Sequence, residues 1–553
     1  MKEGIPMVWT MATFIGFTIL VAVISYVKTK GDDQSTADGY FLAGRGLPGF
    51  VIAGSLLLTN LSAEQLVGTN GQTWSVGMSP MAFEIVAAPC CIVLALFAAP
   101  RYLKSGITTI PELIGLRYDR STKLWFSIAY ILLYIVVQIP VILYSGSLVF
   151  ENIFNVSGIL GVTKFQAVII LCIIISVIGS IYAIFGGLKA VAVSDTINGI
   201  GLIIGGLMIP FLALALLGHE TTGGGLVEGV KYLVQAEPEK LNAWASWDAA
   251  EPALPWPLIF TGMFFNNLYW WCTNQSFVQR ALAAKSLKEG QKGAIYCGFL
   301  KTIGFFYLVL PGVIAYHLPS IQDKLAAAGS SAIDFAYPAL VSAVVPKPVM
   351  GFFAAVLFGA ILSSFNSVLN SASTMFTLDL YRTAINPKAS DMQCVKVGKI
   401  YGTCAGAVAI CVAPFVMFAQ GITTFLNSMS QFVSLPILFT VLGALIFRKA
   451  PKYAPKVITA VHVIAYGAFM IIKPCYPTSG EPIHYLYAIA VLFVVEFAIM
   501  WYLNKYRGTE EYVPADVGAV DLTPWKYRHI VCIIGIILAI GIYILFSPIG
   551  IAA

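Results

Sequence analysis

Long apolar segments separated by short polar loops dominate the pattern of this sequence. A bilayer-crossing helix needs ~20 mostly apolar residues, and counting such runs predicts about fourteen membrane-spanning helices. We therefore expect an all-α integral membrane protein, with its spans numbered 1 to 14 in chain order. The predicted spans are 7–27, 50–70, 79–99, 124–149, 165–185, 191–217, 255–279, 293–316, 349–381, 397–418, 421–447, 454–473, 483–504 and 529–547.

Spans 2 and 7 are poor continuous helices. Span 2 carries Asn60, Ser62 and Glu64 near its centre, and span 7 opens on the proline-containing stretch LPWPLIFTG. Interrupted helices in corresponding positions of two halves indicate a secondary transporter built from an inverted repeat. The predicted units are an N-terminal extra helix and loop at 1–49, a first repeat of spans 2–6 at 50–217, an extracellular loop at 218–254, a second repeat of spans 7–11 at 255–447 and peripheral helices at 448–553.

The composition and the positions of the basic residues support a membrane protein. The chain is 58% hydrophobic and 11% charged, whereas globular domains carry roughly 25% charged residues. Placing the N-terminus outside puts about three quarters of the Lys and Arg residues, Arg280 included, in inside loops. Both termini are then extracellular or periplasmic, in the plasma (inner) membrane. The basic charge is explained by this topology, so we predict no nucleic-acid partner.

Sequence motifs exclude several function classes. The chain contains no GxxxxGK[ST] loop for ATP, so the energy for transport must come from an ion gradient unless the protein is passive. It shows no nucleophile–base pair and no metal-binding motif, so we predict that it is not an enzyme. The first apolar run is too long for the core of a typical signal peptide and lacks a small-residue cleavage site, which indicates a retained helix.

Serine residues in span 9 predict an ion site. Ala360, Ser363 and Ser364 are spaced i, i+3 and i+4, so they share one face of a helix. Their hydroxyl and carbonyl oxygens form an uncharged cluster that suits Na⁺. If span 2 unwinds near Leu58 and Leu61, its freed carbonyls complete an all-oxygen cage. The alternative is that the serines only allow two helices to pack closely.

Seven stretches of distinctive sequence run in order over most of residues 36–450. They are YFLAGRGLP (40–48), NLSAEQLVG (60–68), TIPELIGLRY (109–118), GGLKAVAVSD (186–195), NLYWWCTNQSFVQRALAAKS (267–286), GFLK (298–301) and SSFNSVLNSASTMFTLDLY (363–381). In these stretches the chain resembles the sodium/solute symporter family and, within it, the sodium–sugar branch. The resemblance implies a LeuT-like fold with a five-plus-five inverted repeat and alternating access.

The same resemblance implies where Na⁺ and the solute bind. One Na⁺ lies at the crossing of spans 2 and 9, with ligands from the backbone of Leu58, Leu61 and Ala360 and the hydroxyls of Ser363 and Ser364. The residues that match the hydrogen-bonding positions for a sugar are Gln65, Glu84, Asn267 and Lys301.

Amide, carboxylate and ammonium groups can each bind a polyol, so their chemistry agrees with a sugar site. Burying Glu84 or Lys301 at membrane depth costs ~3 kcal/mol each. The alternative for these two residues is a purely structural ion pair.

Aromatic residues beside these positions are candidates for gating. Trp270 stands where the family commonly has a gating tyrosine, and Trp271 follows it. Phe83 lies where an outer aromatic lid is expected. The alternative for the tryptophan pair is a lipid-facing or core position.

Three further positions depart from the family pattern or carry an open role. Ala87 replaces a serine three residues after Glu84, and the glutamine of span 11 is matched by Gln431, with Ser428 as the other candidate. Asp195 begins span 6. The resemblance implies that Asp195 helps to form a second cation site or the exit path of Na⁺, with two possible partners. The alternative is that Asp195 is the N-cap of span 6. Those partners are Asn366 and Ser367.

These observations predict a Na⁺-coupled secondary active symporter that imports a sugar or a closely related polyol. The alternatives are a symporter of the same family for a non-sugar solute, or a non-transporting sugar sensor or leak on the same fold. No arginine is predicted mid-span, which disfavours a carboxylate solute. The predicted partners are Na⁺, a small sugar or polyol and the lipid bilayer, and the oligomeric state is not readable from the sequence.

Overall fold

Helices make up nearly all of the protein. The structure, a computed structural model, describes residues 4–328, 332–418 and 422–552, and this part contains isolated β-bridges but no β-strand. Eleven helices in these ranges are long and apolar enough to cross a membrane, or thirteen if each of two bent pairs counts as one span. The remaining predicted span, 255–279, is divided into short helices. The predicted all-α membrane architecture is therefore confirmed, with fourteen as an approximate count.

The membrane-associated helices are numbered here in chain order. They are α1 Gly4–Thr29, α2 Gly49–Asn60, α3 Ala63–Val76, α4 Ser79–Ser105, α5 Arg120–Glu151, α6 Lys164–Ile184, α7 Gly186–Thr222, α8 Trp256–Ile259, α9 Gly262–Cys272, α10 Gln275–Leu282, α11 Leu287–Thr302, α12 Phe305–His317, α13 Val349–Ile385, α14 Asp391–Met417, α15 Ile422–Leu445, α16 Ala454–Ile472, α17 Tyr485–Tyr506 and α18 Arg528–Leu545. Shorter helices in the connecting segments are Ile110–Arg117, Leu226–Ala236, Pro319–Ala328 and Ala332–Val344.

Span 2 is broken, as the sequence predicts. Leu61 and Ser62 have extended backbone conformations between α2 and α3, and the two helix axes are bent by 57°. A serine or asparagine near such a break is favourable because its short polar side chain competes with helical hydrogen bonding. The bend leaves the last carbonyl groups of α2 without helical partners.

Span 7 is also broken, into α8, α9 and α10. The Asn274 side chain caps α10 by accepting a hydrogen bond from the Ser276 backbone N–H at 3.0 Å. An asparagine at this position satisfies a donor that the helix itself leaves free. The Tyr134 hydroxyl from α5 donates to Asn274 Oδ1 at 2.6 Å and fixes the cap in place. The predicted interruption of both spans is confirmed.

A glycine separates spans 5 and 6. Gly187, the second residue of α7, has a φ of 60°, and a Cβ at this position would lie 3.1 Å from the Tyr40 carbonyl oxygen. Both the left-handed conformation and the close approach favour glycine. Asp195 lies in the interior of α7, so the interpretation of Asp195 as an N-cap is wrong.

Helix α13 occupies the centre of the molecule. In its most apolar window 89% of the residues are buried, and it packs against α1, α2, α5 and the α6–α7 pair. The corresponding buried share is 22% in α16, 33% in α17 and 22% in α18. The first residue of predicted span 421–447 lies outside the described residues.

Candidate ion and solute sites

The C-terminal end of α2 meets the serine face of α13. The Ser364 hydroxyl donates to the Leu58 carbonyl oxygen at 3.0 Å and to that of Thr59 at 3.3 Å. Leu58, Leu61 and Ala360 are fully buried. The carbonyls that Ser364 contacts lie in the last turn of α2, where a helix leaves them unpaired. The structure thus places Ser364 of span 9 against the end of α2 in span 2.

Ser363 lies beside Asp195 near this crossing. The Ser363 Oγ and the Asp195 Oδ1 are both buried and have no other hydrogen-bond partner among the described residues. The two side chains are close enough for the hydroxyl to influence the carboxyl group. Carbonyl and hydroxyl oxygens beside one carboxylate are the ligands that hard cations prefer, so this chemistry fits Na⁺.

Asp195 and Arg280 form a buried charged network beneath the crossing. The Ser55 hydroxyl donates to Asp195 Oδ2 at 2.6 Å, and Arg280 Nε donates to Ser55 Oγ at 3.3 Å. Arg280 Nη1 donates to the Ser276 carbonyl at 2.7 Å, and Nη2 donates to Ser367 Oγ. The predicted partner Ser367 therefore binds Arg280 rather than Asp195. The Ser55 hydroxyl thus bridges the Arg280 guanidinium and the Asp195 carboxylate, which brings opposite charges close together.

The placement of Arg280 corrects the sequence interpretation. We expected it in an inside loop, but α10 is part of the broken span and holds Arg280 fully buried. Arg280 thus belongs to the helical core and not to a solvent-exposed loop. Asn366, the other predicted partner of Asp195, is buried with its Oδ1 unpaired in the described part of the chain.

A cavity lies next to the break in span 2. Five predicted solute-site residues line it together: Gln65, Phe83, Asn267, Trp270 and Trp271. Trp271 is buried, and its Nε1 donates to Asn267 Oδ1 at 3.2 Å. Trp270 is half-buried at the cavity wall. The lipid-facing alternative for the tryptophan pair does not describe these positions.

Glu84 and Lys301 form a fully buried ion pair behind the cavity wall. Gln65 Nε2 donates to Glu84 Oε1 at 2.5 Å, and Lys301 Nζ donates to Asn60 Oδ1 at 2.5 Å. Gln65 and Asn60 both line the cavity. Glu84 and Lys301 therefore do not line the cavity themselves. Each one hydrogen-bonds the side-chain amide of a residue that does.

Gln431 also lies behind the wall. Its Nε2 donates to Asn266 Oδ1 at 2.8 Å, and its Oε1 accepts from the Ser434 hydroxyl at 2.6 Å. Asn266 lines the cavity, whereas Gln431 does not. Gln431 therefore supports a cavity residue from the second layer of side chains.

Sequence reasoning missed Gln138, which lines the cavity from α5. It ends the π-helical segment Tyr134–Gln138, and its Nε2 is buried without a hydrogen-bond partner among the described residues. A glutamine in an apolar span two residues before Pro140 was the available signal, because proline removes a helical hydrogen bond and π segments often mark functional sites. The other uncharged polar lining residues outside the predicted set are Thr59, Asn60, Thr69, Asn266, Ser276 and Asn427.

The cavity wall carries no charged side chain in the described part of the chain. Its polar groups are amides and hydroxyls, and its apolar groups include the two indoles and two phenylalanine rings. Amides supply both donors and acceptors. Such a wall can hydrogen-bond a neutral polar solute while packing against its apolar surface.

Comparison with known proteins gives a consistent assignment. A sequence model of the sodium:solute symporter family matches residues 40–453. Over 535 residues the chain is 42% identical to an uncharacterized symporter, YidK, of Escherichia coli (strain K12), covering 96% of this chain and 90% of that protein. Over 491 residues it is 33% identical to a sodium/glucose cotransporter of Vibrio parahaemolyticus, covering 86% and 87% of the two chains.

A solved structure resembles the whole fold. It is the outward-open state of a Na⁺-coupled sialic acid symporter, with a TM-score of 0.75, 22% identity, and coverage of 91% of this chain and 99% of that one. This likeness concerns the LeuT-like fold alone. The family model covers most of the chain, and its members couple solute movement to sodium rather than catalyse a reaction. The chain therefore belongs to the sodium:solute symporter family, with Na⁺ as its coupling ion.

Proposed function

We propose that this symporter imports a sugar or a closely related polyol by alternating access. The observation that carries the proposal is the uncharged cavity wall, in which Gln65 Oε1 and Gln138 Nε2 are buried without partners among the described residues. A polyol presents hydroxyl donors and acceptors together with an apolar ring face. The name of the Vibrio relative, a sodium/glucose cotransporter, supports the same solute class.

The compensated charges near the cavity support a neutral solute. Glu84 is paired with Lys301, and Arg280 lies beside Asp195. An anionic solute needs an uncompensated cation, because burying an unpaired charge is costly. Arg280 does not line the cavity, so its burial leaves the preference for a neutral solute in place.

We propose that Na⁺ binds at the crossing of α2 and α13 and that its binding favours the conformation in which the solute cavity is open to the outside. Its ligands are the backbone oxygens of Leu58, Leu61 and Ala360 and the hydroxyls of Ser363 and Ser364. Bound Na⁺ holds the broken span 2 against α13 and favours the outward-open state. A ligand shifts such an equilibrium only through its different affinity for the two states.

We also propose an exit path or second cation site formed by Asp195, Asn366 and Ser367. A cavity of about 150 Å³ between α1, α6, α7 and α13 is lined by Ser363 and Asn366, which supports a path on the far side of the ion site. The repeat boundaries at 50–217 and 255–447 and the extracellular or periplasmic position of both termini belong to the same proposal.

The proposal predicts concentrative sugar uptake driven by sodium. Proteoliposomes holding the purified protein are given labelled glucose, galactose, mannose or inositol, with an inward Na⁺ gradient or an equal choline gradient. We expect one of these solutes to accumulate only with Na⁺. Accumulation of a different solute contradicts the solute class, and Na⁺-independent equilibration or binding without uptake indicates a leak or a sensor.

Gln138→Leu is expected to weaken solute binding without changing the ion site. The substitution removes an amide from the wall, and losing one hydrogen bond of about 1–1.5 kcal/mol raises the KM for the sugar roughly tenfold. Uptake kinetics at saturating Na⁺ measure this change. Ser147→Ala is the matched control, because Ser147 is buried on the same helix and contacts Cys172 instead of the cavity. An unchanged KM in Gln138→Leu contradicts a role for this residue in binding.

A further inference from the structure

A histidine and a glutamate form a buried pair in the peripheral helices. His462 of α16 and Glu496 of α17 are both fully buried, and His462 Nδ1 lies 2.7 Å from Glu496 Oε1. Only 22% of the most apolar window of α16 and 33% of that of α17 are buried within the protein. Burying an ionisable group inside a membrane-spanning segment costs free energy, so such a group indicates a functional role. The roles described above for the ion site and the cavity use neither residue.

The second nitrogen of the histidine reaches the transport core. His462 Nε2 lies 2.8 Å from the backbone carbonyl oxygen of Gln431 in α15. A carbonyl only accepts, so Nε2 must carry a proton and donate it. One further proton is then shared between Nδ1 and the Glu496 carboxyl group, and the pair has no net charge whichever atom holds that proton. The donor toward Gln431 is present in both arrangements.

Gln431 connects this pair to the cavity wall. Its side chain donates to Asn266 Oδ1 at 2.8 Å, and Asn266 lines the cavity. Pro436 lies inside the same helix. It has no backbone N–H, so it cannot donate a helical hydrogen bond to the carbonyl of Phe432 in the preceding turn. One turn before Gln431, the Tyr466 hydroxyl of α16 donates to the Ser428 carbonyl at 3.1 Å. Helix α16 thus supplies two donors to the part of α15 where proline weakens the helix.

We propose that His462 and Glu496 are positioning residues for the solute site. They hold the α15 backbone so that Gln431 presents its amide to Asn266, and this arrangement sets the affinity for the solute. The inference rests on the proposed solute cavity. It assigns α16 and α17 the role of supporting the solute-binding wall of that cavity. These helices are more than a peripheral support.

The test replaces the pair without leaving a buried charge. The double variant His462→Leu/Glu496→Leu removes the donor to Gln431, and apolar replacement of a buried pair often leaves stability unchanged. Glu496→Gln is the conservative variant, because its amide can donate to Nδ1 and leave Nε2–H on Gln431. Met500→Ala is the matched control, since Met500 is buried on α17 in a separate apolar cluster.

Two measurements separate this inference from the proposed function. Uptake of labelled glucose, galactose, mannose and inositol gives KM, maximal rate and the half-saturating Na⁺ concentration. We expect the double variant to raise the KM about tenfold, as for loss of one positioned hydrogen bond, with the Na⁺ dependence unchanged. Hydrogen exchange of peptides covering 425–440 in the unliganded protein is expected to become faster in the double variant and to stay unchanged in Glu496→Gln and Met500→Ala.

The outcomes differ for the two hypotheses. If the unchanged protein takes up none of the four solutes, the proposed solute class fails, while the hydrogen-exchange result still tests the positioning role. If exchange in 425–440 is unaltered in the double variant, or altered equally in Met500→Ala, the positioning role is wrong. It is also wrong if Glu496→Gln raises the KM as much as the double variant does.

Discussion

Replacing Ser364 by alanine is expected to raise the Na⁺ concentration that half-saturates uptake by about tenfold or more, because a lost oxygen ligand is worth at least ~1.4 kcal/mol. The Ser364 hydroxyl is the group that meets the end of α2, through the carbonyls of Leu58 and Thr59. Without it, Na⁺ loses a ligand and the broken span loses a contact with α13. Solute uptake at low Na⁺ should fall together with the ion affinity. Initial uptake rates measured over a series of Na⁺ concentrations test this expectation.

Ser373→Ala provides the matched control for this experiment. Ser373 is a buried serine of the same helix, but it faces Gly402 of α14 instead of α2. Its replacement should leave the Na⁺ dependence unchanged. If Ser364→Ala has the same Na⁺ dependence as the unchanged protein, the assignment of the ion site to this crossing is wrong.

The second large effect is expected at the Glu84–Lys301 pair. Lys301→Met leaves the Glu84 carboxylate buried without its partner, which costs about 3–5 kcal/mol of stability. It also removes the donor that holds Asn60 at the cavity wall. Both thermal stability in detergent and sugar uptake should therefore fall. The double variant Glu84→Gln/Lys301→Met removes both charges, so most of the stability should return.

Uptake by the double variant distinguishes the two interpretations of this pair. If the charges orient Gln65 and Asn60 for the solute, uptake stays low although the protein is stable again. Recovery of uptake to the level of the unchanged protein shows that the pair is only structural. A single Lys301→Met variant with unchanged stability contradicts the buried ion pair itself.

The sequence by itself determined the membrane class and the two broken spans. Both follow from local properties: apolar runs set the number of helices, and polar or proline-containing stretches within such runs interrupt them. The i, i+3 and i+4 spacing of Ala360, Ser363 and Ser364 likewise places these residues on one helix face. The family resemblance then paired this face with Leu58 and Leu61, and the structure places Ser364 against the Leu58 carbonyl.

Only the tertiary structure decided which polar groups face the cavity and which support them. Lys301 meets Asn60 from 241 positions away in the chain, and His462 reaches Gln431 from a helix that carries no functional motif. The sequence predicts Arg280 in a loop, whereas the structure places it in α10 with its side chain fully buried. In each case the role depends on which partner compensates a buried charge or satisfies a buried donor. That partner is set by how distant helices pack, a property that neither composition nor spacing along the chain contains.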